Sequence, residues 1–235
     1  MRKPGPDRIG GIDALRGISI LLMLFYHFMF DLTHFGVASL RLFYNPPMDA
    51  VQQYIACSFI LLAGISSRVS RDNVRRGLIV FASGMLVTFV SQFVDMPIRF
   101  GILHLLGWSM VTYGLGRCWI DRIPRKAAPF LYLGGFFLSR WIFNRTFEIG
   151  WLYVFGIMDK HFYSADYFPV FPWIFLFLLG TWAGPFVWER RLPKGFYSRK
   201  LPFLSALGRR SLLIYLLHQP VLYALTMGIL RLIRG

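Results

Sequence analysis

The amino-acid sequence predicts an all-α membrane protein, a polytopic bundle of about seven transmembrane helices with its N-terminus in the cytoplasm. Of its 235 residues, 56% are hydrophobic and only 16% are charged, which is too apolar for the surface of a soluble domain of this length. Several apolar runs approach the ~20 residues needed to cross a hydrocarbon layer. Lys and Arg gather in alternate connections between these runs. We therefore expect one membrane-embedded domain over residues 1–235.

Seven apolar segments define the predicted helices. The fifth segment is short and contains Gly134 and Gly135. Residues 147–158 could add a re-entrant piece, so eight helices are the alternative count. The seven segments cover residues 14–32, 50–67, 77–94, 100–119, 127–143, 170–187 and 211–230.

The first apolar segment could instead belong to a cleaved signal peptide, because Arg2, Lys3 and Arg8 precede it. However, polar residues interrupt or end the run, and no clear A-x-A cleavage site follows. A retained first membrane helix is the favoured interpretation.

The distribution of positive charge predicts the orientation. The N-terminal segment through Arg16 and the connections at 68–76, 117–126 and 190–210 hold 19 of the 26 Lys and Arg residues. The positive-inside rule places these connections in the cytoplasm, and seven spans then leave the C-terminus outside. The net charge of +15 could also indicate nucleic-acid binding. Because the cations lie between apolar runs, we expect membrane lipids as partners and no nucleic acid.

Three polar residues lie on one face of the first helix. At 100° per residue, Arg16, His27 and Asp31 share a stripe, and the rise from Arg16 to His27 is roughly 16 Å. Titratable groups in a membrane span are costly and are therefore functional candidates. His27 could act as a general base, with Asp31 one turn later to orient its ring. The alternative is a histidine that only packs between helices.

Two further histidines lie in predicted helices. His104 lies near the outer start of the fourth helix, after Asp95 and Arg99, and could approach His27 from a neighbouring helix. His218 lies near the midplane of the last helix, where Pro220 should weaken the helix. A hydrogen bond within the bundle and contact with a ligand are equal alternatives for His218.

Arginines cluster on the predicted cytoplasmic side. Their guanidinium groups could anchor the chain to anionic lipid headgroups or bind the phosphates of a cofactor. These residues are Arg68, Arg71, Arg75 and Arg76 after the second helix, and Arg209 and Arg210 before the last. Cys57 and Cys118 have no CxxC or metal-ligand spacing, and the chain contains no Walker, Rossmann, HExxH or G-x-S-x-G motif. We therefore expect no metal site.

The longest predicted outer connection, residues 144–169, is rich in aromatic side chains. Trp151, Tyr153, Tyr163 and Tyr167 are typical of an interfacial belt. The alternative is a lid over a cavity that opens to the outer side.

Five motifs in order along the chain resemble small bacterial membrane proteins related to the catalytic domain of heparan-alpha-glucosaminide N-acetyltransferase. The first and last motifs also resemble helices of the broader membrane acyltransferases. The motifs are RIGGIDALRGISILLMLFYHFMFDL, FILLAGISSRVSRDNVRRG, FGILHLLG, DYFPVFPWIFLFLLG and LGRRSLLIYLLHQPVL.

The resemblance implies an enzyme of the bacterial cytoplasmic (inner) membrane. It would move an acetyl group from cytosolic acetyl-coenzyme A to an amino or hydroxyl group of a sugar or glycan on the outer side. His27, Asp31 and His104 are then the expected catalytic residues. The expected cofactor-binding residues are Arg16, Arg68, Arg75, Arg76, Arg209, Arg210 and His218. A homo-oligomer is left open. The competing hypotheses are a small-solute transporter, which would use the polar stripe as a permeation path, and a noncatalytic membrane scaffold.

Overall fold

The computed structural model describes residues 9–93, 96–198 and 201–234, and this part of the chain forms ten α-helices. Arg2, Lys3, Arg8 and Asp95, which entered the sequence argument, lie outside the described residues. The helices are α1 (Gly10–His34), α2 (Leu40–Phe43), α3 (Pro46–Val69), α4 (Asn73–Ser91), α5 (Ile102–Ile120), α6 (Ala128–Phe143), α7 (Val170–Trp188), α8 (Lys194–Ser198), α9 (Pro202–Arg209) and α10 (Ser211–Arg234).

Every one of the seven predicted segments is a helix, and the all-α class is confirmed. Five helices, α1, α3, α4, α7 and α10, are long and apolar enough to cross a membrane. The helices α5 and α6 are not among these five. One reason is length, since α6 has only 16 residues. Residues 147–158 contain a single 3-10 turn at Tyr153–Phe155 among the residues described there, so no re-entrant helix forms. Seven crossings therefore stays a prediction.

Several long helices expose large apolar side chains along one side. On α10, Leu213, Leu217, Val221 and Leu225 are 51% to 61% exposed and follow one another at four-residue intervals. Similar residues are exposed on α4 and α6, including Phe89 and Phe137. Water would penalise such faces, whereas hydrocarbon would not. These helices thus have the surface expected of an integral membrane protein.

The chain divides into two compact units. The first unit comprises residues 1–59 and 193–235, within which the structure describes α1, α2, α8, α9, α10 and the start of α3. Ile20, Met23 and Ile55 form its buried apolar centre, and Ile214 and Tyr215 of α10 pack against them. The core is therefore built from three helices that are distant in sequence.

In the first unit, α9 packs against α1 with almost no space between the backbones. A side chain at Gly17 would overlap the carbonyl oxygen of Leu204, and one at Gly208 would overlap that of Asp13. Ser205 Oγ also donates to the Gly10 carbonyl at 3.2 Å. This helix was not predicted from the sequence, where residues 190–210 were interpreted only as a basic connection.

The second unit, residues 60–192, contains the end of α3 and helices α4 to α7. Within it, α3 and α7 cross at glycines, because the Cβ position of Gly180 lies 3.1 Å from the Cα of Gly64. One turn along, the Cβ position of Gly184 lies 2.7 Å from the Cβ of Arg68. Gly180 and Gly184 thus form a GxxxG motif, which lets membrane helices approach closely.

Candidate active site

The predicted polar stripe of α1 faces α10. The rings of His27 and His218 lie 4.7 Å apart, centroid to centroid. One turn further along α1, Asp31 Oδ1 accepts a hydrogen bond at 2.9 Å from Nε2 of Gln219, the residue after His218. The rings of Phe35 and Tyr223 then meet at 5.4 Å. Because residue numbers rise together along this contact, α1 and α10 run parallel.

His218 is 8% exposed and is held in one orientation by its own helix. Its Nδ1 lies 2.5 Å from the Tyr215 carbonyl oxygen. A carbonyl oxygen can only accept, so Nδ1 must carry the proton, and the neutral ring then has its lone pair on Nε2. That Nε2 atom is buried and has no hydrogen-bond partner among the described residues.

Asp31 is the most deeply buried charged residue of this face, with 2% of its surface exposed. The sequence predicted that Asp31 orients the ring of His27. Within the described chain, the carboxylate instead accepts a hydrogen bond from Gln219 at Oδ1. Its other oxygen, Oδ2, is buried without a partner there. The ring of His27 contacts those of Tyr26 and His218. Asp31 is therefore positioned by α10, a feature that needs the tertiary structure to be seen.

The N-terminal end of the stripe carries an ion pair. Arg16 Nη1 lies 3.2 Å from Asp13 Oδ1, and both side chains are largely buried. The helix α9 covers this pair, with the Cβ position of Gly208 only 3.1 Å from the Cβ of Arg16. Arg209 and Arg210 follow directly and are exposed. Arg16 thus lies close to the chain segment that carries Arg209 and Arg210, and Asp13 offsets part of the positive charge of Arg16. Binding of coenzyme A phosphates by these three arginines stays a prediction.

Sequence reasoning did not single out Asp13, although an acid three residues before a base on one helix is a recognisable signal.

The predicted phosphate ligand Arg68 belongs to an ion-pair network in the second unit. Its guanidinium pairs with Asp121 and donates to the Tyr113 hydroxyl at 3.1 Å. Arg117 completes the network, with Nε 3.3 Å from Asp121 Oδ2 and Nη2 donating to the Arg68 carbonyl at 3.0 Å. Arg68 therefore ties the end of α3 to the end of α5, which is a structural role. Its part in binding a phosphate stays a prediction.

Arg75 and Arg76 are exposed at the start of α4. Asp72 caps this helix by accepting a hydrogen bond from the Arg75 backbone N–H at 3.1 Å. Beside it lies an open groove of about 600 Å³, lined mainly by apolar side chains, Leu78 and Ile79 among them. A cation beside an apolar groove is suited to a lipid headgroup and its acyl chain.

The predicted catalytic residue His104 is 2% exposed, and both its ring nitrogens are engaged within the second unit. Nδ1 accepts from the Gly101 backbone N–H at 3.2 Å, so Nε2 carries the proton and donates to Thr88 Oγ1 at 3.3 Å. Gly84 leaves room for the ring, since a Cβ there would lie 3.0 Å from Nδ1. This is the geometry of a histidine that caps α5 and joins it to α4. A catalytic role for His104, and its approach to His27, stay predictions.

The aromatic connection between α6 and α7 is partly packed. Tyr167 donates to the Tyr153 carbonyl at 2.5 Å, and both rings contact Phe162. Burial raises the pKa of Tyr167 above its ordinary value, and the neighbouring Tyr153 adds to this. By contrast, Trp151 is 75% exposed. The exposed ring suits an interfacial belt, whereas Tyr167 holds the connection together.

The same connection positions the start of α5. Asp166 Oδ2 accepts a hydrogen bond from the Ile102 backbone N–H at 3.1 Å, and Ser164 Oγ accepts one from that of Arg99. Across the described ranges, no group of three His, Cys, Asp or Glu side chains is arranged to hold a metal ion.

The chain matches a known protein family. The family model described as "Heparan-alpha-glucosaminide N-acetyltransferase, catalytic" matches residues 8–220. The match covers most of the chain, including both helices of the candidate site up to Pro220. No curated protein and no solved structure matches the sequence.

Proposed function

Because the chain belongs to the heparan-alpha-glucosaminide N-acetyltransferase catalytic family, we propose that it is a transmembrane acetyltransferase acting between two compartments. It takes an acetyl group from cytosolic acetyl-coenzyme A and passes it to an amino or hydroxyl group of a sugar or glycan on the outer side. The family itself implies a transferase. The donor, the acceptor class and a location in a bacterial inner membrane are parts of the proposal.

The observation that carries the proposal is the polar interface between α1 and α10. Asp31 Oδ2, His218 Nε2 and Gln219 Oε1 are buried without hydrogen-bond partners in the described chain. Leaving one such atom unpaired costs about 1 to 3 kcal/mol. All three atoms belong to side chains at the contact between α1 and α10. A hydroxyl or amine of the acceptor would donate a hydrogen bond to such atoms.

The donor would approach from the inner end of the same face. Arg16, Arg209 and Arg210 would bind phosphates of coenzyme A, since guanidinium groups pair well with them. The pantetheine arm is comparable in length to the roughly 16 Å rise from Arg16 to His27. Its thioester would then lie beside His27, at the outer end of the stripe.

Two routes are compatible with His27 beside the thioester. In the first, a histidine takes the proton of the acceptor, which attacks the thioester directly. In the second, His27 carries the acetyl group before the acceptor receives it. In both routes the carboxylate of Asp31 would stabilise positive charge on the imidazole pair.

The proposal is tested by substituting His27 in the purified full-length chain. We expect His27→Ala to keep its fold and to lose transfer from radiolabelled acetyl-coenzyme A to glucosamine by about 10²-fold or more, because the imidazole beside the thioester is removed. The matched control is His161→Ala, which alters an exposed histidine in the connection between α6 and α7. Transfer by His27→Ala at the wild-type rate would exclude His27.

The same preparations separate the competing functions. Wild-type chain that binds no acetyl-coenzyme A but moves sugar across liposomes would be a transporter. If substitutions of His27, Asp31 and His104 change neither transfer nor flux, alone or together, a noncatalytic scaffold is the better description.

A further inference from the structure

We propose that His218, rather than His27, is the base that removes the acceptor's proton, and that its reactive atom is Nε2. The inference rests on the proposed function and names the base in its first route. His218 entered the sequence argument only as a packing or cofactor-contacting residue.

The first step of the argument is the tautomer. The Tyr215 carbonyl oxygen lies 2.5 Å from Nδ1 and fixes the proton there. A hydrogen bond from Nδ1–H to an oxygen fixes the tautomer and the orientation of the ring. The Nε2 lone pair is therefore ready to accept a proton whenever the ring is neutral. No comparable contact fixes the tautomer of His27, whose described neighbours are the rings of Tyr26 and His218.

The second step is the environment of Nε2. The atom is buried and unpartnered within the described residues, so an acceptor hydroxyl or amine placed there would satisfy it. The ring centroids of His27 and His218 lie 4.7 Å apart, which puts the acetyl group near the same point if the thioester reaches His27. Asp31 accepts a hydrogen bond from Gln219, the residue after His218. Its negative charge would stabilise the imidazolium of His218 across the same helix interface.

The third step is the balance of the reaction. As the acceptor oxygen or nitrogen bonds to the acetyl carbonyl carbon, its proton passes to His218 Nε2. The carbon–sulfur bond then breaks, and the coenzyme A thiolate takes that proton from the imidazolium. His218 ends in its starting state, and no other reactant is consumed.

Two substitutions separate a base from a structural anchor. The amide nitrogen of Asn occupies nearly the place of Nδ1, so His218→Asn keeps the donor to the Tyr215 carbonyl and removes Nε2. His218→Gln does the reverse, placing an amide near Nε2 and losing the anchor. We expect both variants to bind acetyl-coenzyme A as the wild type does and to lose transfer by about 10²- to 10⁴-fold.

Other results would overturn the inference. His218→Asn that transfers at the wild-type rate would show that only the Nδ1 anchor matters. A variant that folds but no longer binds acetyl-coenzyme A would make His218 a cofactor contact. If wild-type chain neither binds nor transfers, the proposed function fails as well, and this result is distinct from the other two.

A measurement on the unaltered chain guards against variants that do not fold. The protein has five histidines, so ¹⁵N spectra of histidine-labelled chain in nanodiscs are simple. We expect one ring protonated at Nδ1 and bare at Nε2, assigned to His218, and the opposite tautomer for His104. Protonation of every neutral ring at Nε2 would refute the inference without any activity assay.

Discussion

Asp31 shows how a single residue can be understood only through its partner. Its position one turn after His27 predicted an intrahelical pair, whereas the structure pairs it with Gln219 from the last helix. The Oδ2 atom remains unpartnered in the described chain and 2% of the residue is exposed. A carboxylate buried this way is retained at a cost to stability, which suggests a task for its charge.

We predict that Asp31→Asn slows acetyl transfer without destabilising the fold. The amide oxygen can still accept the hydrogen bond from Gln219, but the charge that would stabilise a protonated histidine is lost. At about 1.5 to 3 kcal/mol for an interaction with a charged group, the transfer rate should fall roughly 10- to 100-fold. Steady-state transfer and the midpoint of thermal unfolding provide the two measurements.

The control is Asp49→Asn, an exposed carboxylate in the first turn of α3 in the same unit. Equal loss of activity in both variants would contradict a specific role for Asp31.

Tyr167 gives a prediction about alkaline pH. Because burial raises its pKa, the folded chain holds the phenol proton more tightly than the unfolded chain does. Its contribution to stability is therefore complete below about pH 10 and is lost as the pH rises above that value. We expect Tyr167→Phe to lower the unfolding midpoint at neutral pH and to weaken its decline above pH 10.

The comparison for Tyr167 is Tyr163→Phe, which changes a tyrosine that is 58% exposed. Identical pH dependence of the unfolding midpoint in the two variants would refute the prediction.

At the scale of helices, close approach depends on glycine. The α3–α7 crossing brings Gly64 and Gly180 together, so Gly180→Ala must push the helices apart. We expect a loss of about 1 to 3 kcal/mol, as in other overpacked interfaces, measured as a lower unfolding midpoint by tryptophan fluorescence. Gly134→Ala is the matched control, because no atom lies within 4 Å of its Cβ position and alanine favours helix. A midpoint for Gly180→Ala at or above that of Gly134→Ala would show that the crossing tolerates a side chain.

The long helices could be predicted from the sequence because each one is marked by its own run of apolar residues. All seven apolar segments are helical, with ends that differ by a few residues, because length and apolar composition are properties of each segment alone. By contrast, α9 is short and lies in a basic connection, and its packing depends on Gly17 in a distant helix. The partners of His104 and Arg68 likewise lie on other helices. Those features require tertiary contacts that no local pattern carries.

At the scale of the whole molecule, the direction of two helices constrains the topology. Since α1 and α10 run parallel, the number of crossings from the first to the last must be odd. Seven crossings satisfy this condition and eight do not. An odd number puts the two ends on opposite sides, and which end is inside stays a prediction of the positive-inside rule.

We predict that reporters fused to the two ends of the chain lie on opposite sides of the membrane. An alkaline phosphatase fusion after residue 235 should be active, and one before residue 1 inactive, because this reporter folds only outside the cytoplasm. Fusions of a fluorescent protein that matures only inside should give the reverse pattern. Matching signals from both ends would require an even number of crossings.

The pairing of α1 with α10 also has a consequence for how the protein is made. The first span leaves the translocon with His27 and Asp31 exposed to lipid or to temporary neighbours. Their partners, His218 and Gln219, lie on α10 and are synthesised after all the other described helices. Until α10 packs against α1, the carboxylate of Asp31 lacks the amide of Gln219. Packing of α10 would thus complete both the helix bundle of the first unit and the proposed site.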